Sequence, residues 1–163
     1  MSYEPLLQSM GRTAVGGTFE FLHDGHMALI RKAFELAKGD VVDIGLTSEE
    51  MAGRKNRIIP DIATRKKSLT AFIKELGFPE EKYNIQTLKD PYGSTLEEDY
   101  EYLVVSPETL PVARKINEIR KTNGKREIKI VSINYVMAED DLPISSTRIE
   151  QGEIDVHGHL KHN

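Results

Sequence analysis

The sequence predicts an α/β chain built on a doubly wound parallel sheet of about five strands, with helices on both faces. Three observations predict it. Short apolar runs rich in Val and Ile alternate with stretches of helical periodicity along the whole chain. The helical stretches are long enough to cross a sheet and return the chain in parallel. The first apolar run also ends in paired glycines just before a helical stretch, the kind of corner at which open α/β sheets bind ligands.

"RTAVGG" (12–17) reads as strand one, stopped by its glycines. From His26 to Lys38, residues Leu29, Ile30, Ala33, Phe34, Leu36 and Ala37 form one helical face, with Gly39 as C-cap. "VVDIGLT" (41–47) reads as strand two, buried nearly throughout. A basic loop, "GRKNRIIP" (53–60), follows. Asp61 caps a helix running to about Leu76, where Gly77 and Pro79 stop it. "YNIQTL" (83–88) and "YEYLVVS" (100–106) are strands three and four. Val112, Ala113, Ile116 and Ile119 mark a helix over Leu110 to Lys121, closed by Asn-Gly at 123–124. "EIKIVSINYV" (127–136) is strand five, and a last short helix starts near Ser145. The pattern is Rossmann-like, with ligand expected beyond the carboxyl ends of the strands.

A length of 163 residues suits one domain spanning 1–163. With 39% hydrophobic and 29% charged residues, the chain reads as soluble and globular. A net charge of −4 supplies no global basic field for nucleic acid, so no nucleic-acid partner is expected. No run approaches the roughly 18 apolar residues of a membrane span, so no membrane partner is expected either. The opening "MSYEPLLQSM" has no basic stretch before an apolar core, which argues against a signal peptide and for the cytoplasm. There are no cysteines, which excludes disulfides and thiolate metal sites.

"GGTFEFLHDGH" (16–26) is the most unusual stretch. His23 and His26, three apart, raise the question of a metal. Zinc sites need about three or four protein ligands, and the other histidines, 157, 159 and 162, all fall at the far end of the chain. A solvated helix start or two satisfied core histidines is the plain alternative. The glycines favour a phosphate site instead. Gly16 and Gly17 permit close approach of a ligand to backbone. Thr18 adds a hydroxyl, and the N–H groups of the following helix attract anions. Neither G-x-G-x-x-G nor a Walker A loop is present.

"PISSTRIEQGEID" (143–155) is the second such stretch. Ser145, Ser146 and Thr147 stand before a short helix, and Arg148 adds a cation suited to phosphate. By itself this could be no more than a capped helix. The two stretches together, G-G-T-F…H-x-G-H after strand one and I-S-S-T after the last strand, resemble the nucleotidyltransferase superfamily. The H-x-G-H motif is shared with class I aminoacyl-tRNA synthetases, but no K-M-S-K-S is present and the chain is short. "AVGGTFEFLHDGH", "DPYG" (90–93), "VVSPET", "INEIR" and "AEDDLPISSTRI…GEID" are similar to archaeal-type phosphopantetheine adenylyltransferases, in the family's order, over residues 12 to 158. "DDLPISST" lacks the Arg-Thr-Glu-Gly lead-in of cytidylyltransferases and archaeal FAD synthetases.

The resemblance implies transfer of the adenylyl group of ATP to 4′-phosphopantetheine, giving dephospho-CoA and pyrophosphate. Attack is direct and in line, without a covalent intermediate. The alternatives are a related enzyme with another acceptor, such as nicotinamide mononucleotide, and a non-catalytic nucleotide-binding module. The resemblance implies that Thr18 lies beside the acceptor phosphate and the α-phosphate. It implies that His26 is the donor to the α-phosphate, while His23 supports nucleotide binding. Gly17 and Phe19 belong to the nucleotide-facing loop. Ser145, Ser146, Thr147 and Arg148 meet the β- and γ-phosphates. Lys55 reaches the reacting phosphates and the acceptor, with Arg54 and Arg57 as rivals. Asp90, Tyr92 and Gly93 line the adenine or the pantetheine arm. Mg²⁺ is expected through nucleotide phosphates, and CoA or dephospho-CoA as product-type ligands. Many relatives read I-S-S-T-x-x-R. Here the last position is Glu150, so Arg148 or the basic loop substitutes, or the triphosphate binds less tightly.

Overall fold

The computed structural model describes residues 11–52 and 59–162. Arg54, Lys55 and Arg57 lie outside the described residues. Five strands, β1 (Thr13–Gly17), β2 (Val42–Thr47), β3 (Tyr83–Leu88), β4 (Tyr102–Val105) and β5 (Lys129–Ser132), form one sheet in the order β3-β2-β1-β4-β5. All neighbours pair in parallel. The chain winds outward from β1 to β3, returns beside β1 as β4, and winds outward again. The switch in strand order therefore falls between β1 and β4, where ligand crevices open in such sheets.

The helices are α1 (Asp24–Ala37), α2 (Glu49–Ala52), α3 (Ile62–Glu75), α4 (Leu110–Thr122) and α5 (Ser146–Glu150). Short 3₁₀ turns cover Glu80–Lys82 and Gly93–Leu96. Alternation along the strands splits the core in two. Val15, Val42, Ile44, Leu46 and Val104 face Leu29, Ile30 and Ala33 of α1 and Leu69 and Ile73 of α3. Ala14, Leu103 and Val105 face Ala113 and Ile116 of α4. Helices thus lie on both faces, as the alternating pattern predicts.

Asp61 caps α3 as expected, its carboxylate accepting from the Thr64 N–H at 2.8 Å. That bond holds the carboxyl below its usual range. Several boundaries differ from the sequence reading, among them β4, which starts at Tyr102 rather than Tyr100. α1 begins at Asp24, two positions before His26, because His23 caps it. Its left-handed C-cap is Lys38 (φ 49°), with Gly39 (φ 89°) just beyond. β5 spans only Lys129–Ser132 rather than 127–136. It is an edge strand, and Ile133 makes the last bond to β4, donating to the Val105 carbonyl at 2.9 Å. Beyond it the chain leaves the sheet, and residues 133–136 wall a cavity.

A third, small cluster of Ala138, Ile144 and Ile154 closes the C-terminal segment. The segment is tied back to α1 by the Asp24 N–H, which donates to the Val156 carbonyl at 3.1 Å. His157 Nδ1 adds a contact with the Asp24 carboxylate at 2.9 Å. No helix among the described residues is long and apolar enough to cross a membrane.

Candidate active site

A cavity of about 830 Å³ opens at the carboxyl ends of β1 and β4. The β1–α1 loop forms one wall, with Gly17, Thr18, Phe19, His23 and His26; Ser145, Ser146 and Thr147 form another. The two stretches singled out in the sequence, over a hundred residues apart, therefore face one space. They also touch, since the Ser146 hydroxyl donates to the Glu20 carbonyl at 2.6 Å.

The histidine spacing has a structural cause. His23 is the N-cap of α1, and its Nδ1 accepts from the Gly25 N–H at 3.0 Å. His26, three residues on, accepts from the His23 N–H through its own Nδ1 at 3.2 Å. This is a capping box built from imidazoles instead of Ser and Glu. An Nδ1 that accepts carries no proton, so each neutral ring holds its hydrogen on Nε2. The helix start thereby fixes both tautomers and makes both rings Nε2–H donors. The rings stack at 3.9 Å between centroids, and Phe19 packs against His26 at 5.4 Å.

Burial pushes the His23 pKa down to about 4, so it is neutral at physiological pH. Gly25 is required by the same geometry, since a Cβ there would lie 2.7 Å from His23 Cε1. The loop before the cap is strained: Phe19 and Phe21 hold φ of 50° and 46°, rare for aromatic residues. Phe19 is buried directly beneath Gly17, whose hydrogen leaves room for the ring.

A second chamber of about 230 Å³ lies on the α4 face of the sheet. Leu88, Pro91, Tyr92, Val105, Val112 and Ile116 give it apolar walls. Its inner end meets a buried polar cluster in which Asp43 accepts from Arg12 (2.7 Å), Tyr100 (2.8 Å) and Asn84 (3.1 Å). Burial raises the Tyr100 pKa, which keeps the phenol protonated and able to donate. Gly16, Gly17, Thr47 and Thr109 line both spaces and so mark their junction. Thr47 donates its hydroxyl to the Thr18 hydroxyl at 3.2 Å.

The structure separates the remaining expected residues. Tyr92 lines the apolar chamber, not the larger cavity. Asp90 shapes the turn beneath it, accepting from the N–H groups of Tyr92 (2.8 Å) and Gly93 (2.9 Å). Ser145 caps α5 by accepting from the Arg148 N–H at 3.2 Å. Arg148 is absent from the cavity wall. Its guanidinium is engaged by Asp140, by Glu153 at 2.9 Å and by the Pro143 carbonyl at 3.2 Å. Those two carboxylates raise its pKa and hold it on the C-terminal segment. Thr47 and Thr109 were missed by the sequence reading. Thr47 offered one signal, as a hydroxyl at the carboxyl end of a central strand.

Residues 14–152 match the cytidylyltransferase-like family. A phosphopantetheine adenylyltransferase of Methanosarcina mazei is 56% identical over 152 residues, covering 93% of this chain and 98% of the relative. The chain belongs to the phosphopantetheine adenylyltransferase family. A crystal structure of a protein of unknown function from Archaeoglobus fulgidus is 43% identical, with a TM-score of 0.69 over 75% of this chain and 88% of that one. A tyrosyl-tRNA synthetase from the same organism, 12% identical, shares the fold with a TM-score of 0.64 over 86% of this chain and 60% of its own.

Proposed function

We propose that the chain transfers the adenylyl group of ATP to 4′-phosphopantetheine, releasing pyrophosphate and forming dephospho-CoA. The observation that carries this reading is the junction. A larger, more polar cavity and a smaller apolar chamber meet at Gly16, Gly17, Thr47 and Thr109, beside Thr18. A two-substrate transfer needs such a meeting point. ATP fits the larger cavity, with its α-phosphate at the start of α1 and the leaving β- and γ-phosphates toward Ser145, Ser146 and Thr147. The pantetheine arm fits the apolar chamber, past Tyr92 and Leu88, and brings its phosphate to Thr18. An acceptor such as nicotinamide mononucleotide would place a charged, hydroxylated group against Leu88, Val112 and Ile116, so the walls favour the arm.

The acceptor is already an anionic phosphate at neutral pH, so no general base is needed. Catalysis then rests on placement and on stabilising charge at the α-phosphorus. His26 donates Nε2–H to the α-phosphate as charge builds there. His23, held neutral, supports nucleotide binding. Lys55, or Arg54 or Arg57 beside it, supplies the cation near the acceptor phosphate. Mg²⁺ would be held mainly through the phosphates of ATP, where it would neutralise charge on the leaving group with few protein ligands of its own. Arg148 acts on this reading as a brace for the "ISST" loop.

Incubation with ATP, Mg²⁺ and 4′-phosphopantetheine, read as pyrophosphate release, tests the assignment. Release that requires the acceptor supports it. Turnover with nicotinamide mononucleotide and none with phosphopantetheine would overturn the acceptor. ATP binding without pyrophosphate from any acceptor would overturn the enzyme.

A further inference from the structure

Two arginines are almost wholly buried, and they are used differently. Arg120, on α4, is 0% exposed and grips the carbonyls of Thr95, Glu98 and Arg126 at 2.7–2.8 Å. Its Nη2 reaches the Asp99 carboxylate at 2.7 Å, so it is paired, and it lines neither cavity itself, although the Thr95 it grips borders the apolar chamber. Arg65, on the first turn of α3, is 2% exposed. Nη1 donates to the carbonyls of Thr47 (2.7 Å) and Thr18 (3.2 Å), and Nε to that of Pro60 (2.8 Å). Its Nη2 has no hydrogen-bond partner among the described residues. Glu20, Glu49 and Asp61 face it electrostatically, yet every hydrogen bond its side chain makes among the described residues goes to a carbonyl.

Stability alone is a poor reason for this arrangement. A buried guanidinium is costly to desolvate, and an unsatisfied donor adds to the cost. What the arrangement does achieve is registration. The β1–β2 pairing ends at Gly17 and Leu46, and beyond it three chain segments end on one rigid planar fork: the loop after β1, the last residue of β2 and the residue before the α3 cap. Two of the three gripped residues, Thr18 and Thr47, have hydroxyls bonded to each other at the junction of the two chambers.

We propose that Arg65 is a positioning residue for adenylyl transfer, setting the placement of the Thr18–Thr47 hydroxyl pair where the two substrates meet. The inference rests on the adenylyl-transfer reading above. Lysine cannot replace it, because a single ammonium cannot span the carbonyls in a fixed plane.

The test compares Arg65→Lys, Thr18→Val and the double variant with Arg120→Lys, all in the full chain. Turnover, KM for each substrate and the thermal midpoint are measured. Arg65→Lys is expected to lower kcat by about 10- to 100-fold, as a misplacement of roughly an ångström would, with KM for ATP changed much less. The double variant should lose less than the product of the two single losses, because Arg65 acts through the Thr18–Thr47 pair. Arg120→Lys should lower the midpoint and leave kcat of the folded protein unchanged. An unchanged kcat in Arg65→Lys, or losses that multiply in the double variant, would overturn the proposal. Should the Arg65 variants fail to fold, Thr47→Val removes the hydroxyl and keeps the gripped carbonyl. A lowered kcat there supports the proposal, and an unchanged one overturns it. Wild-type protein that releases no pyrophosphate would instead sink the functional reading itself.

Discussion

The larger cavity and the apolar chamber share four residues and are walled by different kinds of structure. Helix starts and connecting loops make the larger one, where backbone N–H groups, hydroxyls and imidazoles converge. The smaller is made by one face of the sheet, by α4 and by the turn at Pro91–Thr95, so strand and helix side chains supply most of its walls. Polar recognition is thus placed on caps and loops, whose unsatisfied backbone groups suit phosphate. Apolar recognition is placed mostly on regular elements, closed by the turn that carries Tyr92, and their packed faces suit a flexible arm. A variant in one space should therefore move a different kinetic constant from a variant in the other.

The sharpest break concerns His26. Replacing it with Ala should lower kcat by about 10²- to 10³-fold, the usual loss for one preorganised donor to a charged transition state. ATP affinity should change much less, since the bond strengthens only as charge develops. A kcat near wild type would remove His26 from the chemistry.

Acid should act on the same wall through stability. His23 has a folded pKa of about 4 against about 6.5 unfolded. The unfolded chain binds the extra proton, so this contribution is fully present above about pH 6.5 and is lost as pH falls toward 4. The loss is at most about 3 kcal/mol. Protonation must occur on Nδ1, which then cannot accept from Gly25, so the start of α1 should loosen. Denaturant unfolding of wild type and His23→Gln across this range checks it. Equal pH slopes in the two proteins would contradict the cap.

The apolar chamber should respond separately. Tyr92→Ala is expected to raise KM for phosphopantetheine by about tenfold, the scale of a lost aromatic contact, with ATP affinity unchanged. A matching loss of ATP affinity would mean that the two spaces are not divided as described. Arg148→Ala should matter least, shifting triphosphate affinity by less than about tenfold, because its charge is already engaged by Asp140 and Glu153. A larger loss would return Arg148 to the phosphate site.

Much of the fold was legible because parallel strands and their covering helices leave strong periodic signals, as in "VVDIGLT" and the face from Leu29 to Ala37. The two phosphate-facing stretches were legible as motifs. The capping role of the histidines was not, because imidazoles rarely cap helices and a three-residue spacing also suits a metal. Thr47 and Arg65 were hidden for another reason. One is a strand-end threonine and the other an arginine in an apparently solvated helix turn, and only the winding of the sheet brings both to Thr18. The end of β5 was misplaced because nothing in "INYV" announces that an edge strand has run out of partner.

Direct transfer across the junction is tested most directly by following the α-phosphorus. With ATP labelled at that position, Mg²⁺ and 4′-phosphopantetheine, label should appear in dephospho-CoA, none should be bound to protein, and unlabelled pyrophosphate should form in equal amount. Label retained on the protein, or released as AMP whether or not the acceptor is present, would contradict direct transfer across the junction.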